Sequence, residues 1–222
     1  MGFRDRADAG RVLAGALDHL RGRDDVVVLA LPRGGVPVAF EVAKALGAPL
    51  DVLLVRKLGV PGHAELAMGA IAPGGVQVLN HVVTDALRIP PDVVDRVAAR
   101  EGAELERRER AYRPGRPPLD VAGKVAVVVD DGLATGSTMR AAVAALGALG
   151  PARIVVAVPV GARETCEQLA READEVVCAR MPMGFRAVGE WYQDFSPTTD
   201  DEIQALLGPL FRLEGRPGPG KE

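Results

Sequence analysis

Aromatic residues are scarce in this sequence: Phe, Tyr and Trp together make up 4% of 222 residues. A cluster of them would therefore stand out, and one occurs at Phe185, Trp191, Tyr192 and Phe195. Cysteine is scarcer still. Cys166 and Cys178 are too few for a disulfide framework and lack the spacing of a metal site, so both read as small core residues in a reducing compartment. No stretch approaches the roughly 20 apolar residues of a membrane-spanning helix, and the opening MGFRDRADAG lacks the apolar run of a signal peptide. The expectation is a cytoplasmic protein with no membrane partner. Charge of one sign is also missing. A formal net charge of −3 and a pI near 5.7 argue against a broad nucleic-acid surface. Neither a GxxxxGK[ST] loop nor a GxGxxG turn is present.

What the chain has is a hydrophobic share of 48%, enough to bury a core. Apolar runs alternate with helical patterns, which predicts an α/β fold with a mainly parallel sheet covered by helices on both faces. Val26–Leu31, Leu50–Val55, Val125–Val129, Ile154–Val160 and Glu175–Ala179 read as strands. Val36–Leu46, Thr138–Leu149 and Arg163–Ala173 read as helices between them. An opening helix over Asp5–Leu20 carries Val12, Leu13, Ala16, Leu17 and Leu20 on its apolar stripe. Two regions break the rhythm. A helical excursion over about 81–120, preceded by a short strand at Val76–Leu79, contains a polar helix within Pro91–Tyr112. Its thin stripe (Val94, Val97, Leu105) and interleaved Arg and Glu suggest a solvated helix supported by charge pairs. The segment 181–199 collects the aromatics. One domain over 1–212 and a disordered tail over 213–222 complete the expectation.

The most specific segment is Ala126–Thr138, AVVVDDGLATGST. An apolar strand ends in Asp130 and Asp131 and runs through a tight loop into a helix. Gly132 and Gly136 let the backbone turn and approach a ligand closely. The loop amides, with the helix dipole behind them, suit a phosphate, and Thr135, Ser137 and Thr138 add hydroxyls. The two carboxylates are placed to hold ribose hydroxyls or a divalent cation. An ordinary strand–turn–helix accounts for Gly132 and Thr138, but not for the adjacent acids followed by ATGST.

This segment resembles the phosphoribosyl-pyrophosphate signature of type I phosphoribosyltransferases over its whole length, and the general fold resemblance spans about Leu29 to Ala179. The resemblance implies transfer of ribose-5-phosphate from 5-phosphoribosyl-1-pyrophosphate to a nitrogenous acceptor, with Mg2+ as cofactor and pyrophosphate released. Gly132, Leu133, Ala134, Thr135, Gly136, Ser137 and Thr138 would bind the 5-phosphate, and Asp130 and Asp131 the ribose hydroxyls or the metal. Pro32, Arg33, Gly34 and Gly35 match the pyrophosphate loop, which in this family often carries a non-proline cis peptide. Lys57, in the Arg56-Lys57 pair ending its strand, would touch the leaving group. GVPGHAELAMG matches the position of a flexible catalytic loop in which Gly59, Pro61 and Gly62 give mobility. His63 and Glu65 are its candidate proton-transfer groups, with Glu65 preferred. Residues 181–199 would form the hood, with Phe185 or Trp191 stacking on the acceptor and Asp194 helping to hold metal. Those rings equally suit a hydrophobic cap. Ala134 stands where members using 6-oxopurines carry an acid, which disfavours such acceptors. A homodimer is a common assembly among relatives. The alternative is a ligand-sensing regulator that binds the donor or a nucleotide without turnover.

Overall fold

The computed structural model describes residues 2–210; the side chains of residues 64, 65, 209 and 210, and the tail expected over 213–222, lie outside the described set. In chain order the first elements are α1 (Arg6–Ala16), β1 (Val26–Ala30), α2 (Gly35–Leu46), β2 (Leu50–Val52), β3 (Arg56–Val60), β4 (His63–Ala72) and β5 (Val76–Leu79). Then follow α3 (His81–Ala86), α4 (Pro91–Tyr112), β6 (Val125–Val129), α5 (Ser137–Gly147), β7 (Arg153–Val160), α6 (Arg163–Leu169), β8 (Glu175–Arg180) and α7 (Asp200–Leu210).

Five parallel strands form the central sheet in the order β2-β1-β6-β7-β8. The strands β1 and β6 are buried at every position, as continuous VVVLA and VAVVV runs require when helices cover both faces. Alternation sorts their side chains between two cores. Val26, Val28 and Ala30 join a cluster with α1, α2, α4 and α7, while Val27 and Leu29 face α5 and α6. From β1 the chain moves outward to β2; from β6 it moves the other way, to β7 and β8. The order therefore reverses between β1 and β6, and the loops leaving their C-terminal ends part there. Open α/β sheets bind ligands in such a crevice.

Three departures from the sequence expectation have clear causes. The strand expected over Leu50–Val55 stops at Val52, and Arg56-Lys57 open β3 instead of closing β2. The segment expected as a flexible loop is a β-hairpin. Its strands pair as Arg56↔Ile71 and Lys57↔Ala70 within a separate antiparallel sheet, β3-β4-β5. Pro61-Gly62, with Gly62 at φ +81°, makes the turn, and apolar Leu58, Val60 and Met68 are buried beneath it. On α1 the buried stripe is Ala9, Gly10, Leu13 and Ala14, continued by Leu17 and Leu20. Val12 and Ala16 point outward.

The polar helix α4 runs over Pro91–Tyr112 as expected, yet it is less solvated than its composition suggested. Val94, Val97, Leu105 and Tyr112 are buried against the antiparallel sheet and α7. Its C-terminal end is fastened by Arg113, whose Nε and Nη2 donate to Asp51 of β2 at 3.0 and 2.9 Å, with Nη2 also reaching the Pro117 carbonyl at 2.8 Å. Helix α7 follows a capping box. The Thr199 amide donates to Glu202 at 2.7 Å, and the Glu202 amide donates to the Thr199 hydroxyl at 3.2 Å. Among the described residues no helix is long and apolar enough to cross a membrane.

Candidate active site

The crevice between β1 and β6 gathers the two loops singled out in the sequence. Residues 31–35 leave β1, the peptide bond between Pro32 and Arg33 is cis, and Gly34-Gly35 lead into α2. From β6 come Asp130 and Asp131, then the 132–138 loop into α5. The loops are in contact. A Cβ on Gly34 would collide with Asp131 Oδ2, and one on Gly35 would lie 2.6 Å from the Val129 carbonyl oxygen and 3.0 Å from Asp130 Cα. Both glycines have helical or near-helical backbone. Their value is thus the missing side chain, which lets one loop press against the neighbouring carboxylates.

Those carboxylates sit in different surroundings. Burial and the adjacent Asp131 charge push the Asp130 carboxyl well above the usual range. Its Oδ1 accepts the Asp131 amide at 2.9 Å. Burial also raises Asp131, opposed by the Arg6 guanidinium, whose Nε donates to Oδ2 at 2.9 Å. Arg6 is held in turn by the Ser196 carbonyl at 2.7 Å and by its position 4.0 Å over the Phe195 ring. The Tyr192 hydroxyl donates to the Asp131 carbonyl.

The 132–138 loop is pinned at its base and open at its top. The Leu133 amide donates to the Val160 carbonyl and its own carbonyl accepts from Ala162, which buries the Leu133 side chain. The Thr165 hydroxyl donates to the Ala134 carbonyl at 2.7 Å, and its methyl stands where a Cβ on Gly136 would fall, at 2.6 Å. Gly136 lies at φ +73°, a conformation that favours glycine, and it opens α5. Ala134, Thr135 and Thr138 are exposed, so the loop offers its rim to solvent above the helix N-terminus.

Beside it lies a cavity of about 550 Å³ bounded by Leu31-Pro32, Lys57, Thr138 and the hairpin turn at Pro61-Gly62. Its far wall is α4, through Arg100, Glu101, Leu105 and Arg108. Arg56 Nε donates to Glu101 at 2.9 Å, and Arg100 approaches the same carboxylate at 3.1 Å. Burial works against ionisation of Glu101, but the Arg56 and Arg100 contacts outweigh it and hold the carboxyl below its usual range.

Other candidates stand apart from these loops. Arg33 turns toward α7, its Nε 3.3 Å from Asp200, which also accepts the Tyr112 hydroxyl at 2.7 Å. Asp194 does not join Asp130 and Asp131: among the described residues no three His, Cys, Asp or Glu side chains form a metal-binding group. Its Oδ1 accepts the Ser196 amide and hydroxyl at 2.9 and 2.6 Å. Phe185 and Trp191 pack against Phe3, Ala9, Val160 and Tyr192, an arrangement suited to capping the sheet edge. His63 is exposed at the hairpin tip, and the Glu65 side chain lies outside the described residues.

A family model described as phosphoribosyl transferase domain matches residues 5–193. The chain belongs to the phosphoribosyl transferase family. Its parallel five-stranded sheet with flanking helices is the type I fold of that family. A Mycobacterium tuberculosis protein provisionally named a phosphoribosyl transferase is 51% identical over 210 residues. That match takes in 95% of this chain, which spans about half (47%) of the relative's length. The Chloroflexus aurantiacus bifunctional protein PyrR is 38% identical over 129 residues, 57% of this chain and 65% of that protein. The crystal structure of TT1426 from Thermus thermophilus superposes with a TM-score of 0.86 at 47% identity, covering 95% of this chain and 99% of that one.

Three contributors to this candidate site carry no signal in the sequence. Arg6 lies more than a hundred residues from Asp131, and nothing in RADAGRV announces its target. Tyr192 belongs to the aromatic cluster, but the sequence holds no sign of its hydroxyl bond to the signature loop. Thr165, at the start of α6, carries no motif.

Proposed function

We propose that this protein transfers ribose-5-phosphate from 5-phosphoribosyl-1-pyrophosphate to a nitrogenous acceptor, releasing pyrophosphate. The observation that carries it is the meeting of Asp130-Asp131 and the 132–138 loop with the 32–35 loop at the point where the strand order reverses. In this reading the amides of 132–138 and the hydroxyls of Thr135, Ser137 and Thr138 hold the 5-phosphate at the N-terminus of α5. Asp130 and Asp131 accept from the ribose hydroxyls. The C1–oxygen bond to pyrophosphate breaks as the C1–nitrogen bond forms, through an oxocarbenium-like transition state. The protein's work is to fix the sugar and to stabilise the departing charge. Lys57 and the backbone of 32–35 supply that stabilisation; Arg33 joins on leaving Asp200. Glu65 is the proposed acceptor of the proton lost by the incoming nitrogen, and Phe185 or Trp191 the face against which that ring lies.

The donor set fits Mg2+, which keeps several waters and binds through one or two carboxylates together with substrate oxygens. Asp130 and Asp131 would hold it, and it would neutralise developing pyrophosphate charge. Residues 1–212 would act as one unit, in the cytoplasm, where the thiols of Cys166 and Cys178 stay reduced. The test is pyrophosphate release from the donor across purine, pyrimidine and other nitrogen acceptors. Turnover with one of them, lost in Asp131→Asn, supports the assignment. Donor binding without turnover on any acceptor would reject the enzyme in favour of a sensor.

A further inference from the structure

The 550 Å³ cavity beside the crevice carries a charge balance that the residues of the two signature loops do not explain. Its lining includes four cationic side chains, Arg56, Lys57, Arg100 and Arg108, and one carboxylate, Glu101. Arg56 and Lys57 come from β3, whereas Arg100 and Arg108 come from α4, on the excursion between β5 and β6. Positions 101, 105 and 108 are spaced by four and three residues, so Glu101, Leu105 and Arg108 share one helix face. Leu105 is buried and fixes that face against the protein. Arg108 Nε reaches Glu104 at 2.8 Å, and the arginine remains part-exposed toward the cavity. The helix is held at its end by the pair of buried Arg113 with part-buried Asp51, so its arginines stand on a fixed wall. Three more cations than carboxylates around a concave space concentrate anions there. Glu101 sits where an incoming anion would, between Arg56 and Arg100.

We propose that this cavity is a polyphosphate-binding site in which Arg100 and Arg108 of α4 bind phosphoryl oxygens, with the Glu101 carboxylate as an internal competitor for Arg56 and Arg100. The excursion helix is then a working wall of the site and not a surface strut. This goes beyond the proposed transferase reading: it assigns anion-binding residues outside both signature loops. Arginine suits the task because its planar fork meets phosphoryl oxygens two at a time.

Calorimetric titration of the full chain with inorganic pyrophosphate and with tripolyphosphate tests it, with ribose-5-phosphate titrated in parallel to report on the 132–138 loop. Each of Arg100→Gln and Arg108→Gln should weaken tripolyphosphate binding about tenfold or more and leave ribose-5-phosphate binding within about twofold. Glu101→Gln should tighten tripolyphosphate binding several-fold, an outcome that a purely structural carboxylate would not give. Arg108→Lys keeps the charge and should recover part of the loss. Unchanged tripolyphosphate affinity in both Gln variants overturns the site, as does equal loss of ribose-5-phosphate binding in the soluble, folded Arg100→Gln protein. Should wild type bind tripolyphosphate but not ribose-5-phosphate, the transferase reading fails while the α4 site stands.

Discussion

Gly34 and Gly35 are neighbours in sequence, yet adding one methyl to each should have different consequences. At Gly35 the new Cβ would meet backbone, the Val129 carbonyl oxygen at 2.6 Å and Asp130 Cα at 3.0 Å. Neither atom can move without displacing β6, which is buried along its length. Overpacking of this kind costs about 1–3 kcal/mol, which for a chain of this size lowers Tm by roughly 2–12 °C. At Gly34 the obstruction is the Asp131 side chain, its Oδ2 and, at 2.6 Å, its Cγ. Swinging the whole side chain about its Cα–Cβ bond relieves the clash but breaks its 2.9 Å contact with Arg6. Gly34→Ala should therefore lose about 1.5–3 kcal/mol in stability, the range for a hydrogen bond to a charged partner, while Mg2+-dependent donor binding falls about tenfold or more. Scanning calorimetry and donor titration on both variants separate the effects. A Gly34→Ala protein with wild-type donor affinity would refute the argument that these glycines are there to seat the carboxylates.

Asp130→Asn should raise Tm at neutral pH while donor affinity falls. The folded-state pKa of Asp130 is raised, so its favourable contribution exists below the unfolded value near 3.9 and is lost as pH rises through the folded one. Melting wild type and variant at pH values rising from the unfolded value near 3.9 should show their difference widening in the variant's favour; a constant difference from there to neutral pH would contradict the shift. Arg113→Met should cost about 1.5–3 kcal/mol by leaving the part-buried Asp51 carboxylate without its charged donor, read by urea unfolding, and Arg113→Met with Asp51→Leu should recover part of it. For Phe185→Leu and Trp191→Leu the expected signature follows from their packing on Phe3 and Tyr192. If a ring stacks on the acceptor, acceptor affinity alone drops about tenfold. A fall in Tm with donor and acceptor weakened together would assign both rings to the cap.

The central sheet was legible because its strands are continuous apolar runs of β-branched residues, a pattern that only burial on both faces produces. The 130–138 loop was legible for a similar reason: adjacent acids followed by ATGST have no ordinary structural use. Less could be read where residues serve two ends. Leu50–Val55 looked like one strand because Leu53 and Leu54 are buried too, although the backbone leaves the sheet after Val52. The hairpin was hidden because GVPG has the composition of a mobile loop, and the alternation that marks its strands is broken by a bulge near Gly59. Helix α7 was missed despite a readable signal, Thr199 and Glu202 in a capping box ahead of Ile203, Leu206 and Leu207. Arg6 and Thr165 could not have been found, since a side chain that crosses to another element leaves no local pattern.

The pairing of β1 with β6 joins Val26 to Val125 and Ala30 to Val129, and so closes a chain loop of about 100 residues at an entropic cost of roughly 4 kcal/mol. Nothing local repays that cost, so the pairing should form late, after the hairpin and α4 have shortened the effective loop. Both signature loops depend on it, because each leaves one of the two strands. A ligand in the crevice is therefore tied to global unfolding and has no small native-like fragment to bind. Saturation at a hundred times Kd should add about 2.7 kcal/mol to the whole transition. Amide hydrogens in the core of β1 and β6 should slow together on donor binding, while those of the exposed hairpin tip exchange as before.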